Sequence, residues 1–230
     1  MLSHLLECRR RLLQVFACFI LLFSVFFFIA PNLFHRIVLP LLNVLPANDS
    51  LIAMQITTPF MTPIKLAADA AILCTAPFAL LHLWLFAAPG LYQRERKQLS
   101  WATAASLLLF LCGILFGFYL VLPFMFSFFA HAVPTGVRLM PDMGYVVDFI
   151  TRMLLIFGLC FQVPLVCVVL VRLQVLNIAT LKAIRPYVIV VAFILGMVLT
   201  PPDVVSQIML AVPLCILYEM GIFFARFRVK

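Results

Sequence analysis

Two of the eight acidic residues of this 230-residue chain stand among clusters of arginine, and their spacing limits what they can do. Glu7 lies in His4-Leu5-Leu6-Glu7-Cys8-Arg9-Arg10-Arg11-Leu12, just ahead of a long apolar run, and Glu95 lies in Tyr92-Gln93-Arg94-Glu95-Arg96-Lys97, between two such runs. On a helix, Glu7 reaches Arg10 or Arg11 at one turn's spacing, a local pair worth about 0.3 kcal/mol. Glu95, a lone acid among three cations, forms surface pairs of similarly small value. If the two carboxylates approach one another, they offer instead an acidic pair suited to planar guanidinium groups through bidentate hydrogen bonds, a fork that lysine lacks. Spacing alone leaves both uses open.

A second set of polar groups lies inside the apolar runs: Tyr119, Gln162 and Gln207. In hydrocarbon each needs a partner, which is either a neighbouring helix of the same chain or a second subunit or polar segment. Glu219, near the end of the last run, is expected to snorkel or to pair with Arg226. Catalytic chemistry finds no footing. His4, His35, His82 and His131 are scattered without the serine, paired aspartate or zinc-ligand spacing that hydrolysis requires. Six of the seven cysteines (Cys18, Cys74, Cys112, Cys160, Cys167, Cys215) lie in apolar runs without CxxC or Cys/His spacing, so they read as packed or lipid-facing thiols. No enzyme activity, metal or cofactor is expected, and no glycine pattern points to a nucleotide.

The elements that must carry these groups follow from composition. The chain is 66% hydrophobic and 10% charged with a mean hydropathy of +1.22, far from the balance of a soluble domain. The expected class is an all-α membrane protein forming one integral membrane domain over residues 1–230. Windows of about 20 apolar residues give spans at 12–30, 66–88, 101–124 and 149–171, and a last apolar stretch split by Thr200-Pro201-Pro202-Asp203 into 187–200 and 204–223. The first run lacks a small-x-small cleavage motif, so it stays as a span. The fifth is short: 14 residues rise about 21 Å against a hydrocarbon core of about 30 Å. The intervening segments 31–65, 125–148 and 201–203 face outward, and the first two, with Phe34, Ile37, Phe60, Phe126 and Met140, are expected to hold short capping helices.

Charge orients the spans. Twelve of the sixteen basic residues fall in four clusters, at residues 9–11, 94–97, 172–185 and 226–230, which six spans place on one side. The positive-inside rule puts that side, with both termini, in the cytoplasm. Five spans would move the last cluster outside. A net charge of +8 carried this way is membrane topology rather than a nucleic-acid surface. A channel lined by continuous charge gains no support, whereas a small-solute secondary carrier stays open on these residues.

In order along the chain, the segment from His4 to Leu12, Pro59-Phe60-Met61-Thr62-Pro63-Ile64-Lys65, Phe86 through Glu95-Arg96, Phe157-Gly158 to Pro164, and Arg185-Pro186-Tyr187 leading to Gly196-Met197-Val198-Leu199-Thr200-Pro201-Pro202-Asp203-Val204 resemble TatC, the multi-spanning subunit family of the twin-arginine translocase. The resemblance covers nearly the whole chain. It implies six transmembrane helices in a concave, glove-like arrangement, the last two short. It further implies a receptor that binds twin-arginine signal peptides on its cytoplasmic face and moves folded proteins with the single-span partners TatB and TatA, driven by the proton-motive force. Glu7 and Glu95 match the acidic positions implicated in signal-peptide binding, with Phe86 and Arg9 beside them. Met197, Thr200 and Gln207 match the partner-helix region. One departure stands out: the fourth-span position often occupied by glutamate is Gln162, whose amide can hydrogen-bond but cannot titrate. Gln55 likewise stands where some relatives carry an acid, so no role passes to it.

Overall fold

The computed structural model describes residues 2–44, 51–87, 96–134, 138, 140–172, 174–199 and 204–228. These form α1 (Leu2–Leu42), α2 (Thr58–Ala87), α3 (Arg96–Phe116), a π-helical segment (Gly117–Val121), α4 (Leu122–His131), α5 (Met143–Cys160), α6 (Val163–Arg172), α7 (Ile178–Leu199) and α8 (Val204–Arg228). Among the described residues, six segments are long and apolar enough to cross a membrane: Arg9–Leu42, Thr58–His82, Ala102–His131, Met143–Arg172, Ile178–Val198 and Val204–Phe227. The last two are the shortest, at 21 and 24 residues against 25 to 34 for the others. Lipid offers main-chain amides no partner, so each span closes its hydrogen bonds within its own helix.

Helix ends depart from the sequence reading, mostly at proline. α1 runs through Pro31 and Pro40 to Leu42 instead of stopping near residue 30, and α5 starts at Met143 rather than 149. Among the described residues, the helical parts of 31–65 and 125–148 are the continuation of α1 to Leu42, the start of α2 at Thr58, the end of α4 at His131 and the start of α5 at Met143. α7 begins at Ile178 and passes through Pro186, so the 14-residue arm read from 187 to 200 is the apolar part of a 22-residue helix whose first turns carry Lys182 and Arg185. Pro123 does interrupt the third span: it lacks the N–H that would bond Tyr119, and the wider π turn just before it absorbs the mismatch. Pro164 similarly parts α5 from α6 through a turn at Phe161 and Gln162.

The chain divides into two compact units, residues 1–90 with 118–155 and residues 91–117 with 156–230. In the first, α1 and α2 pack as antiparallel neighbours, burying Ala30, Val38 and Leu41 of α1 and Leu66, Ala67, Ala70 and Ala71 of α2, whose small side chains let the backbones approach. Lys65 pairs with Asp148, and the Thr151 hydroxyl donates to Asp69 at 2.9 Å, tying α2 to α5. At that end Ile52 bridges to the start of α5, donating to the Pro141 carbonyl (3.1 Å) and accepting from the Met143 amide (2.9 Å). Asp142 secures the junction. Its Oδ1 accepts from the Gly144 and Tyr145 amides of the first turn of α5 (2.9 and 3.3 Å), and its Oδ2 accepts from the Met54 amide (2.9 Å).

In the second unit α3 meets the end of α5 backbone to backbone. A Cβ on Gly113 would lie 2.5 Å from the Phe157 carbonyl oxygen, and one on Gly158 would lie 2.7 Å from the Phe110 ring. Cys167, Val168 and Val171 of α6, Leu181 of α7, and Tyr218, Ile222 and Ala225 of α8 form a second core, closed by the Tyr218 hydroxyl donating to the Leu181 carbonyl at 2.8 Å. Gly221 brings α8 against Pro164 and Cys167. The short α6–α7 link turns through Gln174 in the left-handed region, φ 56°, returning the Val175 amide to the Leu170 carbonyl.

Asp142→Ala removes an N-cap and should lower stability by about 1–2 kcal/mol, read from thermal unfolding in detergent, with Asp142→Asn losing less. The Met54 amide foremost, with those of Tyr145 and Gly144, holds the carboxyl below its ordinary 3.8 against the opposing pull of burial. A depressed folded value means that this contribution is complete above pH 3.8 and is lost as the pH falls from there through the folded value. Asp142→Asn should lack that acid step, and its persistence in the variant would assign the step to another group.

Candidate functional site

At the end of the α1–α2 pair opposite Asp142, one turn of α1 places Glu7 beside Arg11. Arg11 donates from Nη2 at 2.6 Å and from Nε at 3.2 Å, both to Oε1 of Glu7. The pairing expected along the helix is thus made with Arg11. Because both bonds fall on one oxygen, Oε2 of Glu7 has no partner among the described residues. Nη1 of the same guanidinium reaches the His82 carbonyl of α2 at 3.5 Å, the outer limit of a hydrogen bond. Glu7, Arg10, Arg11, Gln14 and His82 line a cavity of about 250 Å³. The His82 ring sits edge-on to Phe78, 4.4 Å between centroids, and its Nδ1 is buried without a partner among the described residues.

Arg9 is exposed and lines a separate shallow depression with Leu6, Arg10, Leu13, Gln14 and Ala17. Phe86 lies on the last turn of α2, its side chain outside the described residues, and Glu95 lies outside them altogether. The approach of Glu7 to Glu95 therefore stays an expectation.

Gln162, in the turn forced by Pro164, is buried and doubly bonded to α3: it accepts from the Ser106 hydroxyl at 2.8 Å and donates Nε2 to the Ser106 carbonyl at 2.9 Å. The glycine contacts explain the meeting, since Phe110 follows Ser106 by one turn and Gly158 precedes Gln162 by one turn. Gln162 thus has its partner within the chain. Tyr119, in the π segment of the first unit, is 73% exposed, and its ring stands edge-on to Phe118 at 5.1 Å.

On the last hairpin, Gln207 donates Nε2 to the Phe193 carbonyl at 2.9 Å, lying over Gly196, where a Cβ would sit 3.0 Å from its Cγ. Met197 is exposed one residue further along α7. Thr200 lies outside the described residues. Glu219 pairs with Arg185 at 2.6 Å rather than with Arg226, because the α7–α8 packing brings a cation of α7 closer than one two turns along α8. Sequence reasoning missed His82 and Ser106. Both are polar residues one or two turns inside apolar helices, but their partners lie 71 and 56 positions away, and only the pairing of helices reveals them.

These helices and their polar groups define a multi-pass α-helical membrane protein. Residues 3–213 match the family model of TatC, the Sec-independent protein translocase protein. The chain is 41% identical to the Sec-independent protein translocase protein TatC of Haemophilus influenzae over 227 residues, 99% of this chain and 89% of that one, and 38% identical to that of Escherichia coli K12 over 229 residues, 100% and 89%. The crystal structure of the twin-arginine translocase receptor TatC superposes with a TM-score of 0.88 at 30% identity, covering 99% of this chain and 100% of that one. The chain belongs to the TatC family of Sec-independent protein translocase proteins. Membership makes it a membrane component of protein transport and not an enzyme.

Gln162→Leu should lower stability by about 1–3 kcal/mol, because it strands a buried hydroxyl. Combined with Ser106→Ala, the loss should fall short of the sum of the single losses by about 0.6 kcal/mol, a typical interhelical coupling in membranes. Unfolding of the four proteins in mixed micelles measures the difference, and strict additivity would dissolve the pair as an energetic unit.

Proposed function

We propose that this protein is the signal-peptide receptor and scaffold of the twin-arginine translocase in a bacterial inner membrane, with both termini in the cytoplasm. The reading rests most on Glu7: one carboxylate oxygen holds Arg11, and the other is open in a cavity next to an apolar helix. An incoming guanidinium gains two parallel charge-assisted bonds there or shares the carboxylate with Arg11, whereas an ammonium gains a point contact. Glu95 supplies the second acid, and Phe86 and Arg9 border the path of the peptide. The four basic clusters support the orientation, since six spans bring all of them to one side.

The single-span partners TatB and TatA dock on the last hairpin. Met197 is exposed there, and Gln207 spends one amide proton on Phe193, keeping its other donor and its oxygen for a partner helix. Thr200 completes the contact. Folded cargo then crosses through the assembled complex at the expense of the proton-motive force, the receptor itself holding no motor.

Glu95→Gln should weaken binding of a twin-arginine peptide by about 1.5–3 kcal/mol without unfolding the protein, reduced toward the lower figure by salt. Replacing one peptide arginine with lysine should cost the parent about as much and the variant clearly less. Peptide titrations onto nanodisc-embedded protein decide the matter. If the two losses add, Glu95 is not the partner of that arginine.

A further inference from the structure

Arg9 and Arg10 are cations of α1 that its packing on α2 does not use. Arg11 is taken by Glu7, whereas Arg9 and Arg10 are exposed and have no ion-pair partner among the described residues. Both line the depression of about 440 Å³ that Leu6, Leu13, Gln14 and Ala17 complete. That lining holds two positive charges, one amide and no carboxylate. Past the arginines the face is apolar and uncovered: Leu12, Leu13 and Phe16 are more than half exposed, and no residue of α1 from Arg9 to Ile29 is buried. Helix geometry gives the depth of the arginines in the membrane. The apolar span of α1 opens at Arg9, and Arg36, the next cation of α1 after Arg11, lies about 40 Å further along the axis. A hydrocarbon core is about 30 Å thick, and with its headgroup layers about 40–45 Å. With Arg36 in one headgroup layer, Arg9 and Arg10 therefore fall in the other, at the level of lipid phosphates.

We infer that this face of α1 is a binding site for an acidic phospholipid, whose phosphate is held by Arg9 and Arg10 with the Gln14 amide and whose acyl chain lies along Leu13 and Ala17. The site is separate from the receptor reading and holds whether or not that reading does. A phosphate offers a guanidinium two oxygens for parallel charge-assisted bonds, and it meets the two charges at the edge of the hydrocarbon, where they are costly to leave unpaired. The missing carboxylate sets the preference. A zwitterionic headgroup brings an ammonium beside two guanidiniums with no anion on that face to receive it, whereas a glycerol headgroup brings no opposing charge. Leu13 and Ala17 add apolar contact that only a ligand with a chain can use.

The test titrates the full chain in a neutral detergent with phosphatidylglycerol or phosphatidylethanolamine of matched acyl chains and reads the first bound lipid by native mass spectrometry. The parent should bind the acidic lipid at least about tenfold more tightly than the zwitterionic one. Arg9→Gln with Arg10→Gln should weaken the acidic lipid about thirtyfold, at roughly fivefold for each arginine near a membrane surface. Arg9→Lys with Arg10→Lys keeps the charge but loses the fork and should weaken it about threefold. Lys182→Gln with Arg226→Gln removes the same charge from exposed residues of α7 and α8 and should leave the affinity within about twofold. Inorganic phosphate should not displace the lipid. Equal affinity for the two lipids, or an equal loss in the α7–α8 variant, overturns the site in favour of general attraction to a basic surface. Displacement by inorganic phosphate overturns it as well, reducing it to a contact for any anion.

Discussion

Hydrocarbon offers no hydrogen-bond partner to a main-chain amide or to a polar side chain, and the shape of each unit follows from how this chain meets that condition. Prolines lie within or at the breaks of its spans, at Pro31, Pro40, Pro63, Pro77, Pro123, Pro164, Pro186 and Pro213. Each removes one ladder bond. At Pro123 the chain widens into a π turn, and at Pro164 it opens between α5 and α6. The second opening places Gln162 where its amide can bond Ser106 on α3, so a defect in one helix becomes a tie to the next. The close approach at Gly113 and Gly158 makes that tie reachable.

The same condition fixes the candidate site. Charged groups are costly within the bilayer, so Glu7 and three of the four arginines of α1 collect toward its start, where Glu7, Arg10 and Arg11 meet the last turns of α2. α1 and α2 are antiparallel, and this alone sets His82 opposite Arg11. The product is a small cavity in which one carboxylate oxygen of Glu7 has no partner among the described residues, set beside Arg10 and Arg11. On the proposed reading a guanidinium is favoured there by geometry more than by net charge, because the surround repels cations that cannot form directed bonds.

Much of this was legible in the sequence. Span number and helical class follow from apolar runs, and the Glu7–Arg11 pair follows from one-turn spacing. Helix ends were less legible: the first span reads to residue 30 and the fifth from residue 187, yet α1 passes through Pro31 and α7 through Pro186. Long helices held by neighbours and lipid tolerate a single lost bond. The cross-helix pairs were not legible at all. Met54 with Asp142 is 88 positions apart, and Ser106 with Gln162 is 56, and neither shows in any local pattern. His82 looked like one scattered histidine because its meaning lies in α1.

The central claim is that the arginine pair of a signal peptide enters the cavity between α1 and α2 at Glu7. A photoreactive residue in place of Gln14, which lines that cavity, tests it directly when the protein in membranes is illuminated with a twin-arginine peptide. The control replaces Tyr145, which is exposed beside the first turn of α2, about 36 Å along that helix from His82. The account predicts a crosslink from position 14 to the residues flanking the arginine pair, competed away by unlabelled peptide, and none from position 145. Specific crosslinks at position 145 with none at position 14 would contradict it.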